Sequence, residues 1–195
     1  MDKIYILKVL YFAGIILWIL PAIRQYKSSF FIYFLMLALM DPLILFFSQI
    51  AKIQISTIIF PLLSYLILLS LLERRTLEKY IIIFLAPVFA ILVTSLTTNF
   101  LNEETWRFLI ILIHFMIFSM ILKLYAFKQT REGKLSIFYI VLLFYELTLL
   151  FKFVVVTLGF ANATGYFIIT TLVQIAFGLF FSIVREDNAR LIIKL

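Results

Sequence analysis

The chain has 195 residues, of which 65% are hydrophobic and 14% are charged, with a formal net charge of +7 and no cysteine. A soluble domain has about a quarter of its residues charged, so this chain has too few charges to cover a water-soluble globule. Its basic residues lie in short clusters between apolar runs, a pattern that argues against a nucleic-acid-binding face. The absence of cysteine excludes disulfides, thiolate catalysis and cysteine-ligated metal sites.

Seven apolar runs approach or exceed the roughly 20 residues that a helix needs to cross a bilayer. They occupy residues 4–21, 29–51, 55–72, 79–97, 106–125, 135–158 and 163–184. Only AKIQ separates the second run from the third, so a reading with six spans, in which two are fused or one is dropped, stays open. The predicted fold class is all-α, a polytopic transmembrane helical bundle in which residues 1–195 form one domain.

The distribution of lysine and arginine predicts how these spans are oriented, because short cytoplasmic loops are enriched in positive residues. Twelve basic residues lie on one side of the predicted bundle: Arg24, Lys27, Arg74, Arg75, Lys79, Lys123, Lys128, Arg131, Lys134, Arg185, Arg190 and Lys194. The opposite side has three: Lys3, Lys52 and Arg107. This asymmetry predicts a multi-pass protein of the cell (inner or plasma) membrane with its N-terminus outside and its C-terminus inside.

The connections between the spans are short. The longest polar stretch, KQTREGK at residues 128–134, is predicted to be a loop. The C-terminal segment REDNARLIIKL is too short for an output domain, and at most one or two turns of helix at the membrane interface are predicted there.

Two pairs of similar segments suggest an internal 3+1+3 repeat. Span one ends in AIRQYK and span five in AFKQTR, and an acid follows each of them at the middle of the next span, Asp41 in one case and Glu146 in the other. Spans three and seven finish in SLLERR and SIVRED. Internal repeats are common in membrane transporters, although chance similarity in a sequence of few residue types would give the same picture.

The layout resembles that of sugar transporters and PQ-loop proteins, whose spans one to three and five to seven are repeats. In LPAIRQYKSS, however, Pro21 is followed by Ala22 and not by glutamine, and no proline follows Pro87. The chain also resembles small uncharacterised bacterial seven-span membrane proteins, a resemblance of size and layout that implies a sensor module. A retinal protein is excluded because the last span has no lysine.

Titratable side chains lie near the middle of three spans: Asp41, His114 and Glu146. Lys152 lies about two turns outward of Glu146, and Lys8 lies near the outer end of span one. A charged residue at the bilayer centre costs about 2.5–3.5 kcal/mol on insertion scales, so these groups should face the bundle interior. We predict a polar cluster in which Glu146 pairs with His114, while Lys152 or Lys8 neutralises Asp41.

Asp41, Glu146, His114 and Lys152 are therefore the candidate ligand-binding or proton- and ion-coupling residues. A structural ion pair that locks two helices together is the alternative. Small and hydroxyl-bearing residues also follow one side of spans three and seven: Thr57, Pro61, Ser64, Thr171, Gln174, Gly178 and Ser182. Such stripes more often serve helix packing than ligand binding.

No HExxH, GxSxG, phosphate-binding glycine loop or paired-aspartate motif occurs, and one histidine cannot build a multi-histidine metal site. We therefore expect no catalytic residue, no metal and no cofactor. Two functions remain. The first is a non-enzymatic sensor, regulatory or accessory protein of the membrane that acts through a protein partner or as a homo-oligomer. The alternative is a small-solute secondary transporter, proton-coupled through its intramembrane acids.

Overall fold

The computed structural model describes residues 3–50, 56–97, 103–160, 164–188 and 192–194. The helices in these ranges are α1 (Lys3–Arg24), α2 (Phe31–Ile50), α3 (Ser56–Ser70), α4 (Arg74–Lys79), α5 (Ile81–Thr97), α6 (Glu103–Glu132), α7 (Ile137–Thr157) and α8 (Thr164–Ile183). Two short strands accompany them, β1 (Lys134–Ser136) and β2 (Ile192–Lys194). The described chain is largely helical, as the sequence predicts.

Each predicted span falls on one long helix, α1 to α3 and α5 to α8, and most helix ends lie within three residues of the prediction. The exception is the end of α6, which continues to Glu132 instead of ending at residue 125. Most of the predicted KQTREGK loop is therefore helical. Gly133 ends the helix with a φ of 59°, and its N–H donates a hydrogen bond of 2.9 Å to the Gln129 carbonyl.

Several helices have the composition of membrane-spanning segments. Three are long and apolar enough to cross a membrane: Glu104–Arg131, Ile137–Thr157 and Gly165–Ile183. Shorter apolar segments are Phe31–Phe47, Phe60–Ser70 and Ile81–Ala90. Large apolar side chains also face outward, among them Ile82 at 81% exposure and Ile183 at 70%, and extensive exposed apolar surface is rare in soluble monomers. These features indicate a membrane protein, while the seven crossings and their orientation remain predictions.

Six helices pack around a common core. α1 packs between α8 and α2, α3 packs between α2 and α6, and α7 contacts both α6 and α8. α5, which corresponds to the fourth predicted span, packs on α3. Buried aromatic rings fill the interior: Phe34 lies 4.9 Å from Phe181, and Phe138 lies 5.4 Å from Phe181, between ring centroids. The core is thus built from rings that α2, α7 and α8 contribute together.

The C-terminal segment differs from its prediction in the residues that the structure describes. Ile192–Lys194 form β2 and not a turn of interfacial helix, and β2 pairs antiparallel with β1, with Leu135 opposite Ile193. The two consecutive isoleucines favour an extended backbone, because β-branched side chains are enriched in strands. The α6–α7 connection supplies the partner strand, which local sequence reasoning does not reveal. The pairing fastens the C-terminal segment to that connection.

Gly178 lies where α8 comes closest to α1. A Cβ atom at this position would lie 2.5 Å from Leu17 Cδ2 and 3.6 Å from Trp18 Cε2. We expect Gly178→Leu to force the two helices apart and to lower the free energy of unfolding by about 1 to 3 kcal/mol, as overpacking does elsewhere. The measurement is the thermal unfolding midpoint of the detergent-purified protein.

Gly165→Leu on the same helix is the matched control, because no atom lies within 4 Å of a Cβ built there. It carries the same change in side-chain volume without the contact to α1. Equal unfolding midpoints for the two leucine variants would contradict the close approach of α1 and α8 at Gly178.

Candidate functional site

A chain of buried polar side chains crosses the bundle interior. The Tyr33 hydroxyl of α2 donates a hydrogen bond to Glu146 Oε1 of α7. The other carboxylate oxygen, Glu146 Oε2, lies 3.0 Å from His114 Nδ1 of α6. On the far side of the imidazole, His114 Nε2 lies 3.2 Å from Ser64 Oγ of α3. These four residues, named here the Glu146 chain, connect four helices through side-chain hydrogen bonds.

The Glu146 chain is shielded from solvent, since Tyr33, Ser64 and Glu146 are 0% exposed and His114 is 1% exposed. An isolated charge in such surroundings is very costly, so a buried carboxylate needs hydrogen-bonding partners. With Glu146 ionised, His114 Nδ1 donates the proton of a neutral imidazole and Nε2 accepts from Ser64. Both carboxylate oxygens and both ring nitrogens then have a partner.

A cavity of about 230 Å³ lies beside the Glu146 chain and is named here the mid-helix cavity. Its polar wall residues come from four helices: Asp41 of α2, His114 of α6, Lys152 of α7 and Gln174 of α8. Five aromatic residues complete much of the wall: Tyr11, Trp18, Phe60, Tyr145 and Phe153. His114 therefore belongs both to the cavity wall and to the Glu146 chain.

The mid-helix cavity contains opposite charges. Asp41 and Lys152 are both half-buried, and they attract each other electrostatically. Lys152 Nζ donates a hydrogen bond of 3.3 Å to Gln174 Oε1. Among the residues that the structure describes, no contact ion pair joins Lys152 to Asp41. Tyr11 and Tyr145 line the same cavity as Asp41. The cavity thus has a negative end with aromatic neighbours and a positive end with an amide neighbour.

The structure brings the sequence-predicted residues together in two adjacent groups instead of one. Glu146 pairs with His114 as predicted, and both are buried with Tyr33 and Ser64, although His114 also lines the mid-helix cavity. Asp41 instead faces the mid-helix cavity with Lys152. Of the two lysines considered for Asp41, the one that interacts with it is Lys152, while Lys8 is exposed on α1. The functional roles of these residues stay predictions.

Sequence reasoning missed Tyr33 and Tyr145, and it assigned Ser64 and Gln174 to helix packing. Tyr33 lies about two turns before Asp41 on α2. Tyr145 directly precedes Glu146 and stacks on Trp18 at 4.9 Å between centroids. The available signal was closeness in sequence: Tyr33 lies about two turns from Asp41, and Tyr145 is adjacent to Glu146. Ser48 and Thr57, two other polar residues on these helices, have side chains outside the described set.

Another buried polar residue, Gln25, joins the end of α1 to the end of α8. Its Nε2 donates hydrogen bonds to the carbonyls of Phe181 at 3.3 Å and Val184 at 2.6 Å. Its Oε1 accepts from the backbone N–H of Glu186 at 3.4 Å. The last carbonyls of a helix have no partner within that helix, so Gln25 satisfies groups that α8 leaves open. Gln25 is itself 0% exposed.

Glu186, just beyond α8, contacts side chains from three further segments near Gln25. Its carboxylate accepts hydrogen bonds from Ser29 and, at 2.7 Å, from the Tyr139 hydroxyl. Lys128 Nζ of α6 lies 3.8 Å from the same carboxylate. The ends of α1, α6 and α8 and the starts of α2 and α7 therefore meet at one end of the bundle. We name it the tail end.

Comparison of the sequence with protein-family models and with curated proteins, and of the fold with solved structures, finds no match.

Proposed function

We propose that this chain is a multi-pass integral membrane protein of the cell (inner or plasma) membrane that senses a small polar ligand and acts through a protein partner. In this proposal the chain crosses the membrane seven times, through α1 to α3 and α5 to α8, with its N-terminus outside and its C-terminus inside. It performs no reaction of its own. The mid-helix cavity is the observation that carries the proposal.

The charges of the mid-helix cavity support a ligand site. A charged side chain at the bilayer centre is costly, so intramembrane charges usually mark functional positions. Asp41 lies near the middle of α2, and its opposite charge, Lys152, lies in α7. Both are half-buried around an open volume of about 230 Å³, whereas Glu146 and His114 are fully buried and hydrogen-bonded. We therefore propose that Asp41 and Lys152 contact the ligand and that the Glu146 chain supports the cavity wall.

The positions of helix ends support the proposed orientation. Arg24 at the end of α1 donates a hydrogen bond to the Ile183 carbonyl of α8, and Lys128 pairs with Glu186. These basic residues belong to the predicted cytoplasmic set and lie together at the tail end, as the positive-inside rule requires. α5, the fourth predicted span, packs on α3. The 3+1+3 repeat stays a prediction.

The tail end also offers the surface for a partner. Exposed basic side chains occur in the connections on the predicted cytoplasmic side: Arg24, Lys27, Arg75, Lys79 and Arg131. They suit a partner with an acidic surface, and the segments KQTREGK and ERRTLEK and the C-terminal segment are the candidate contacts. A second copy of the chain is the other partner considered, with the lipid bilayer surrounding the bundle in either case.

The test is a mild-detergent pull-down from native membranes. Wild type is compared with a variant that carries both Asp41→Asn and Glu146→Gln. Glu104→Gln is the matched control because it makes the same acid-to-amide change at an exposed position near the start of α6. We expect a stoichiometric partner with wild type and control, and a weaker association with the double variant.

Two differently tagged copies in the same membranes reveal whether that partner is a second copy of the chain. Gel filtration of each variant shows that a lost partner does not reflect a misfolded protein. Recovery of the protein alone in every form would refute the sensor-with-partner function.

The alternative function is proton-coupled transport of a small solute. The observation that favours it is the His114–Glu146 contact of 3.0 Å, because His114 also lines the mid-helix cavity. In proteoliposomes with an imposed pH gradient, wild type would then move solute or protons, and Glu146→Gln would uncouple the two. Absence of flux in wild type would exclude this alternative.

A further inference from the structure

The mid-helix cavity separates its charges instead of pairing them in contact. Lys152 Nζ is hydrogen-bonded to Gln174 Oε1, and Lys152 and Asp41 both line the cavity without a contact ion pair between them. A purely structural ion pair is most stabilising in direct contact, because Coulomb attraction falls with distance. Charges that face each other across an open volume instead suit a ligand with two opposite charges of its own.

The negative end of the cavity suits an ammonium group. Asp41 supplies the carboxylate, and Tyr11 and Tyr145 line the same cavity. Trp18 packs against Tyr145 in the same wall, with ring centroids 4.9 Å apart. A cation gains from aromatic faces within about 6 Å in addition to its ion pair. This end therefore has the chemistry of an amine-binding site.

The positive end suits a carboxylate. Lys152 supplies the ammonium, and its bond to Gln174 uses the oxygen of that amide. The Gln174 amide nitrogen keeps two donors, which can bind a carboxylate together with Lys152. In the residues that the structure describes, no group of three or more His, Cys, Asp or Glu side chains could hold a metal ion. Lys152 and the Gln174 amide can therefore bind an anionic group such as a carboxylate.

The size of the cavity limits the ligand. The volume of the mid-helix cavity is about 230 Å³. Sites for drug-sized ligands have about 300–1,000 Å³. The ligand is consequently a compact molecule whose two charges are separated by only a few bonds.

We propose that the mid-helix cavity binds a free amino acid, with its ammonium group on Asp41 between Tyr11 and Tyr145, and its carboxylate on Lys152 and Gln174. The proposal rests on the proposed function, because it names the ligand class of the same cavity. It specifies the orientation of the bound amino acid, and it gives Asp41 and Lys152 separate roles in binding.

The test uses the full chain purified in detergent, with thermal shift as the screen and titration calorimetry for the hits. The probes are the common amino acids, each with its methyl ester, which lacks the carboxylate, and its N-acetyl derivative, which lacks the ammonium. We expect at least one amino acid to raise the unfolding midpoint, and both derivatives of it to bind at least about tenfold more weakly, since each loses a charged contact. These analogues test both contacts on the wild-type protein.

Variants test the assignment of each end. We expect Asp41→Asn and Lys152→Met each to weaken binding of the intact amino acid at least about tenfold. N-acetylation and Asp41→Asn both remove the ammonium–Asp41 contact, so the N-acetyl derivative should bind the Asp41→Asn variant about as weakly as it binds wild type. Likewise, the methyl ester should bind the Lys152→Met variant about as weakly as it binds wild type, because both changes remove the carboxylate–Lys152 contact. Glu104→Gln, at an exposed site, should bind as wild type does. If a derivative binds as tightly as its parent amino acid, the proposed orientation is wrong.

The outcomes separate this proposal from the proposed function. If no amino acid binds but a partner still depends on Asp41 and Glu146, the ligand class is wrong and the sensor function stands. If an amino acid binds as described but the protein is recovered alone, the ligand class stands and the partner-dependent function fails.

Discussion

Glu146→Leu is expected to lower the free energy of unfolding by about 3 kcal/mol, the size of effect seen when one member of a buried pair is removed. Glu146 is 0% exposed and accepts from Tyr33 while lying 3.0 Å from His114 Nδ1. Leucine fills nearly the same volume but leaves a buried hydroxyl and a buried ring nitrogen without partners. The measurement is thermal or denaturant unfolding in detergent.

A combined variant separates lost hydrogen bonding from altered packing. Replacing all members of a buried polar group with apolar side chains can be nearly neutral. Adding Tyr33→Phe, His114→Leu and Ser64→Ala to Glu146→Leu should therefore restore part of the lost stability. Glu104→Leu, at an exposed site of α6, is the control for introducing a leucine. If Glu146→Leu has the same unfolding midpoint as wild type, the Glu146 chain does not hold the helices together.

Gln25→Ala is expected to lower the free energy of unfolding by about 2 kcal/mol, within the range for leaving buried polar groups unsatisfied. The substitution removes the donor to the Phe181 and Val184 carbonyls and the acceptor for the Glu186 N–H. The end of α8 should loosen, and trypsin should cut sooner after Arg185. Unfolding midpoints and the rate of this cleavage are the measurements.

Gln129→Ala is the matched control for Gln25→Ala. Gln129 occupies the corresponding place in AFKQTR, the segment that resembles AIRQYK, and its side chain is only half-buried. We expect the control to keep both the unfolding midpoint and the cleavage rate of wild type. Equal losses for the two variants would mean that Gln25 has no special role in holding α8.

The sequence predicts where the long helices lie because bilayer-length apolar runs are a property of the local chain. Prediction of helix ends from the sequence is less accurate where a helix continues beyond its apolar run. α6 continues seven residues past its predicted end, since the helix-forming residues of KQTRE extend it until Gly133 interrupts the backbone. The strand β2 likewise depends on β1, some 60 residues earlier, and no local pattern identifies such a partner.

The candidate site likewise could be predicted from the sequence only in part. Sequence position gives the depth of Asp41, His114 and Glu146, because helical rise converts residue number into height. It does not give the rotation of each helix, which decides that Glu146 faces Tyr33 while Asp41 faces the cavity. Rotation is set by packing among helices that are distant in sequence. Ser64 and Gln174 could therefore not be separated from ordinary packing residues without the structure.

The contacts of α1 bear on the biogenesis of the protein. α1 packs on α8, and Gln25 bonds to residues more than 150 positions later in the chain. During synthesis, α1 enters the membrane long before α8 exists, so the Leu17 and Trp18 side of α1 first faces lipid or the insertion machinery. Assembly of the bundle can be completed only when α8 has been released. A ribosome stalled before α8 would therefore leave a chain whose first helix lacks its main neighbour, and membrane quality-control proteases would have an unpaired helix to recognise.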